Sequence, residues 1–380
     1  MIRAVIFMLI LSSCASSKAK FKEIDKLRFI NDQIIDTNKK LDAIPFGGIS
    51  GLEKDYNNKN IYYAISDDRG NYGPIRAYKM TLKRSERTEN FTLIPTNTIR
   101  LKTKVGNLLA KNSIDPEGIR IDSEGNLLIS TEGEARNNSS KIPNVLKFTK
   151  NGKLIQTYKP HRKYLPEKRK GIFYKGVRNN AGFESLALNR DNNTMYVASE
   201  QSLLQDGDFS SSKSKTPVRI IESKDLKYTN EYVYFLDPIP NPRGLDKITG
   251  INGLVELLHI SDKKFIAVER SFILETLTND IRLYIIDLNQ EKLTNVKRLK
   301  SLKSRKIYSI KKKLLANLNE FSHLLSRNSR IDNIEAITWG PELENGNRTL
   351  ILASDNNFRE SQISQFIFLE LYKKTIELRK

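Results

Sequence analysis

The chain has 380 residues, 38% of them hydrophobic, with 16 Phe, 15 Tyr and one Trp, which is enough apolar material for a buried core and excludes disorder as the main state. Lys and Arg number 64 against 44 Asp and Glu, a formal charge of +20, which draws anionic partners without naming them. The sole cysteine, Cys14, excludes an intrachain disulfide framework, and three histidines (His161, His259 and His323) leave no His-rich metal centre. The basic residues are spread along the chain without a zinc finger, RNP motif or heptad-linked basic region, so nucleic acid is not an expected partner.

Residues 1–14 run Met-Ile-Arg, an apolar stretch from Ala4 to Leu11, then Ser12-Ser13-Cys14. One positive charge, a short apolar run and small residues describe a secretory signal. The run is too short to span a bilayer, which needs about 20 residues. Leu-Ser-Ser-Cys (11–14) resembles the lipobox of bacterial lipoproteins. The resemblance implies lipidation at Cys14 and a membrane-anchored protein outside the cytoplasm, in the periplasm or at the cell surface. A soluble secreted protein with an incidental cysteine is the alternative. Residues 1–20 are then signal and polar tether, and 21–380 form one domain with no further apolar segment long enough to cross a membrane.

The rest of the chain repeats itself. In order, the units are Gly-Gly-Ile-Ser-Gly-Leu (47–52) with Ile-Tyr-Tyr-Ala-Ile-Ser-Asp-Asp-Arg (61–69), and Asp-Pro-Glu-Gly-Ile (115–119) with Leu-Leu-Ile-Ser-Thr-Glu-Gly (127–133). Gly-Phe-Glu-Ser-Leu-Ala (182–187) with Met-Tyr-Val-Ala-Ser-Glu (195–200) follows, then Asn-Gly-Leu-Val-Glu-Leu (252–257) with Phe-Ile-Ala-Val-Glu-Arg (265–270). The last is Asn-Ile-Glu-Ala-Ile (333–337) with Leu-Ile-Leu-Ala-Ser-Asp-Asn-Asn-Phe (350–358). Each reads as strand, polar turn, strand. Hairpins recurring in this way describe an all-β fold, a β-propeller of about six blades, with five or seven also compatible and long inserted loops. The strand Phe366 to Leu371 is placed to close the ring beside an N-terminal strand. Lys311 to Leu325 is the best amphipathic helix candidate, and Leu203 to Pro217 reads as a polar, mobile loop. Tyr158 to Tyr174 and Lys297 to Lys313 are basic runs, read first as solvated surface.

The repeat places two acidic positions in most units. The early set is Glu117, Glu184, Glu256 and Glu335, with Ser50 in the first unit; the late set is Asp67, Glu132, Glu200, Glu269 and Asp355. Equivalent strand positions in a propeller face one region of the channel. Like charges converge there only with cations among them or with some carboxyls protonated. Hard oxygen ligands without Cys or His suit Ca²⁺. The expected site therefore has Glu117, Glu184, Glu335, Arg69 and Arg270 as catalytic groups, and Asp67, Glu132, Glu200, Glu269 and Asp355 as metal ligands. Three uses stay open: a Ca²⁺-dependent phosphoesterase, general acid–base hydrolysis of an uncharged ester or sugar, and structural carboxylates that lock neighbouring blades. Gly48-Ile49-Ser50-Gly51 is no nucleophile elbow, and no histidine falls in a repeat, so a Ser–His triad is not expected.

Together these motifs resemble the phytase-like family, described as esterase-like activity of phytase, over roughly residues 45–360. The carrying segments are 47–52, Ser-Asp-Asp-Arg (66–69), 115–119, Asn-Ala-Gly-Phe-Glu-Ser-Leu-Ala (180–187), Val-Glu-Arg-Ser-Phe (268–272), 333–337 and Ser-Asp-Asn-Asn-Phe (354–358). Ser185 and Ala336 stand where a glycine is expected after the motif glutamates. The resemblance implies an extracytoplasmic propeller that hydrolyses phosphate or other esters, with an anionic small-molecule ester as partner. A non-enzymatic propeller that binds a ligand or protein at the cell envelope is the alternative.

Overall fold

The computed structural model describes residues 20–136, 140–225, 227–241, 243–326 and 330–378; Cys14 and the signal-like segment lie outside them. Five four-stranded antiparallel sheets form a ring. Blade I comprises Ile49–Lys54, Ile61–Ser66, Arg76–Arg84 and Phe91–Arg100, and blade II Pro116–Ile121, Leu127–Thr131, Asn144–Phe148 and Leu154–Tyr158. Blade III comprises Phe183–Asn189, Thr194–Ser199, Thr216–Lys224 and Lys227–Leu236, and blade IV Gly250–Ser261, Lys264–Ile273, Thr278–Asp287 and Lys312–Asn317. Blade V takes Ile334–Glu342, Arg348–Ser354 and Ser364–Leu378 from the C-terminal end, and its outer strand Lys20–Ile35 from the N-terminal end. The fold is thus a five-bladed β-propeller, closed by the expected pairing of terminal strands, with Gln33 opposite Phe366.

The core is a ring of five wedges, one between each neighbouring pair of blades. Ile65 and Ile119 meet between I and II, Val145 and Phe183 between II and III, and Ala198 and Leu254 between III and IV. Val268 and Ile337 meet between IV and V, and Ile49 and Ala353 between V and I. Inner strands buried on both faces carry apolar residues at successive positions, hence the near-continuous apolar runs of the repeat.

Two expectations change. Lys311 to Leu325 is the strand Lys312–Asn317 followed by a 3₁₀ segment, Leu318–Leu324; pairing with Thr278–Asp287 buries Leu315 and Ala316 as sheet residues, overriding the helical pattern. The segment 203–217 is pinned rather than loose, because Leu203 is buried and Asp206 pairs with Arg219 at 2.6 Å. The two basic runs also meet. Val296 and Ile310 bond the outer strand of blade III through Glu231 O and Val233 O, and Lys163 reaches Glu231 and the Lys297 carbonyl. Among the described residues no helix is long and apolar enough to cross a membrane.

Candidate active site

Each inner strand carries a β-bulge at the same place. In blade I, Ile49 pairs with Ser66 and Gly51 with Ile65, leaving Ser50 between them. The bulged residue is Glu117 with Gly118 in blade II, Glu184 in blade III, Val255 in blade IV and Glu335 in blade V. A bulge re-aims a side chain that would otherwise follow the pleat. The residue that follows the partner of the last residue before the bulge is Asp67, Glu132, Glu200, Arg270 or Asp355, in blade order; in blade IV the pairing runs on to Ile273. Four of these are tied by the same backbone bond: the amides of Asp67, Glu132, Glu200 and Asp355 donate to Gly48, Asp115, Gly182 and Asn333.

Eight carboxylates therefore converge at one channel mouth: Asp67, Asp115, Glu117, Glu132, Glu184, Glu200, Glu335 and Asp355. Burial pushes Asp67 up to about 7, with Glu335 and Asp115 adding repulsion and Arg69 opposing. Burial also pushes Glu200 up to about 7 against the pull of Arg270. Glu117, Glu132, Glu184 and Asp355 are raised well above the carboxylate range, first by burial and then by neighbouring carboxylates of the mouth. Asp115 and Glu335 are raised by burial, with Arg69 and Arg270 respectively resisting.

Two guanidiniums stand among these acids. Arg69 Nε lies 2.5 Å from Asp115, and its Nη2 donates to Asn180 Oδ1 at 2.9 Å, tying the segment after the second strand of blade I to the segment that enters blade III. Arg270 reaches Glu200 at 3.2 Å, Glu335 at 3.4 Å and Asn333 at 2.7 Å. Oxygens of Asp115, Glu117 and Glu132 lie within 4.8 Å of one another, a separation two oxygens on one Ca²⁺ can take, given Ca–O distances of about 2.3–2.6 Å. The donor set and the excess of negative charge fit a hard divalent cation.

Nine of the ten expected site residues belong to this mouth. Glu269 does not: Tyr234 donates to it at 2.5 Å, Asn252 at 2.9 Å and the Asp237 amide at 3.1 Å, and Lys312 pairs with it between blades III and IV. Arg270 holds the position that carries a carboxylate in the other blades, so the second strand of the fourth repeat is read one residue early. Glu256 is likewise shifted from the bulge and pairs with Arg120 at 2.9 Å within the channel. Asp115 is the residue the pattern missed. It stands where Gly48, Gly182 and Gly253 have no side chain, and its only signal is its place at the head of Asp-Pro-Glu-Gly-Ile.

The comparisons follow from this geometry. The chain is 28% identical over 158 residues to an uncharacterized secreted protein of Arthroderma benhamiae, a match covering 35% of this chain and 29% of that protein, so it spans under a third of that relative's length. Two glucose dehydrogenase structures, each 13% identical, align over 87% of this chain and 84% of theirs with TM-scores of 0.33 and 0.32. The model of one family, phytase-like, described as esterase-like activity of phytase, matches residues 44–358. With that match running from the first blade through the ring of carboxylates, the chain belongs to the phytase-like family.

Proposed function

We propose that this protein is an extracytoplasmic, lipid-anchored hydrolase of phosphate or other esters, working at the acidic mouth of the propeller. The observation that carries the reading is the convergence of eight carboxylates, seven of them buried and Asp67 half-buried, around Arg69 and Arg270. The secreted relative and the signal-like N-terminus support the location, with Cys14 as the anchor.

Asp115, Glu117 and Glu132 would hold Ca²⁺, with Asp67, Glu200 and Asp355 completing the acidic surround. Bound there, the ion supplies charge neutralisation and polarisation of an ester oxygen. Arg69 and Arg270 orient the anionic part of the ester by charge-assisted hydrogen bonds. In hydrolysis, the water oxygen bonds to phosphorus or to the acyl carbon, and the bond from that atom to the ester oxygen breaks. An ionised carboxylate takes the water's proton, and a carboxyl kept protonated by burial gives one to the leaving oxygen, roles assigned to Glu184 and Glu335. Lysines over the surface draw the anion in.

The test is turnover of p-nitrophenyl phosphate, p-nitrophenyl acetate and phytate with Ca²⁺ and with chelator. The reading requires phosphate or acetate release, and chelator-sensitive phosphate release places the ion in the reaction. A folded sample that turns over none of the three contradicts it and leaves ligand binding at the cell envelope as the function.

A further inference from the structure

Beside the carboxylates, the mouth opens into a cavity of about 450 Å³, a size typical of small-molecule sites. Its lining includes Arg270, Phe272, Leu277, Asn279, Arg359 and Gln362. Three of these residues hold a buried polar atom with no hydrogen-bond partner among the described residues: Arg270 Nε, Asn279 Oδ1 and Gln362 Oε1. Buried polar atoms are almost always paired, so one orphan donor and two orphan acceptors around one cavity outline the complement of a ligand. The cations there are not all neutralised. Arg330 pairs with Asp332 at 3.2 Å and Arg270 with Glu335 at 3.4 Å, whereas no carboxylate pairs with Arg359 among the described residues.

We propose that this cavity is the substrate subsite, and that it takes a phosphate monoester whose alcohol part keeps free hydroxyls, the chemistry of a sugar phosphate. The proposal rests on the hydrolase reading for the reacting end of the ligand. Arg359 and the free Nε of Arg270 meet the phosphate. Hydroxyls of the alcohol part donate to Asn279 Oδ1 and Gln362 Oε1, which accept and cannot donate. The C–H face of the ring packs on Phe272 and Leu277, the apolar part of the lining. A fully phosphorylated inositol has no free hydroxyl to offer and leaves both acceptors buried and unpaired, so it is the poorer ligand.

The experiment is calorimetric binding of glucose 6-phosphate, p-nitrophenyl phosphate and inorganic phosphate to the purified protein in Ca²⁺ buffer, with phosphate release followed on the same samples. Glucose 6-phosphate binds at least about tenfold more tightly than the other two, the scale of one charge-assisted or two neutral hydrogen bonds. Arg359→Gln weakens all three ligands, by about tenfold. Gln362→Leu weakens glucose 6-phosphate alone. Equal affinity for the three ligands, no binding, or indifference to both substitutions overturns the subsite. The two readings separate cleanly: selective binding without phosphate release keeps the subsite and removes the hydrolase, while release unaffected by either substitution keeps the hydrolase and removes the subsite.

Discussion

Two buried carboxylates on one propeller, Glu269 and Asp355, are used in different ways. Glu269 is 1% exposed and fully engaged by Lys312, Tyr234 and Asn252. Glu269→Ala leaves the Tyr234 hydroxyl and the Asn252 amide without their buried acceptor and Lys312 with Asp237 alone, at 3.1 Å, and losing one half of a buried pair costs about 3 kcal/mol or more; chemical denaturation should show that loss. Asp355, equally buried, is crowded by Asp67 and Glu335. Asp355→Asn keeps the shape and the bond from the Asn357 amide, so it should raise the melting temperature in chelator while lowering turnover. A destabilised Asp355→Asn would place this residue with the structural carboxylates.

Glu53 offers a pH-dependent test away from the mouth. It is 2% exposed in the channel, 3.8 Å from Arg120, and burial pushes it up to about 7 against the pull of that arginine. Between its usual value of 4.5 and about 7 the folded chain holds a proton that the unfolded chain has lost. The stability this group contributes is present in full at low pH and is lost as pH rises through that window. Glu53→Gln cannot ionise, so its melting temperature should fall less than the parent's between about pH 5 and pH 8. Parallel curves for the two proteins would refute the assignment.

At the scale of elements, hairpins and bulges make the site. The close seat of Gly182 shows how tight this is, since a Cβ there would overlap the carbonyl oxygen of Glu132. Gly182→Ala should cost about 2 kcal/mol, a typical overpacking loss, and move Glu132 from the mouth; calorimetry and turnover measured together would show both, and an unshifted melting temperature would speak against that packing. The hairpins were legible because alternating apolar runs and Asp/Asn/Gly turns have few other readings. The bulges were not. A bulge adds one residue without changing composition, so the pattern could not say that Val255 rather than Glu256 occupies it, or that Arg270 rather than Glu269 is the residue opposite the bulge that matches the carboxylates of the other blades. Asp115 escaped for another reason: its position in the repeat is a side-chain-free glycine in three other blades, so no recurring carboxylate marks it.

For the whole molecule, the strand Lys20–Ile35 completes the last blade by pairing with Ser364–Leu378, which ties the two ends of the ring together. Five blades fall within the expected range. The count was hard to read because some loops between strands are long, the Lys163–Glu231 tie beneath one of them being a contact between residues far apart in sequence. The charge balance also has a spatial meaning that composition alone could not give: the chain carries +20 overall while its densest carboxylates sit in one sheltered place. A surface that attracts anions around a mouth whose carboxylates are proposed to hold a cation suits an anionic ester. The most direct measurement is the rate of phosphate release in Ca²⁺ by the parent and by Glu117→Gln, with circular dichroism confirming equal folding. A loss of turnover of about a hundredfold or more, as for a lost acid–base or ligand group, with the fold intact, is the expected result. Equal rates from both proteins would contradict the central claim that the converged carboxylates carry the chemistry.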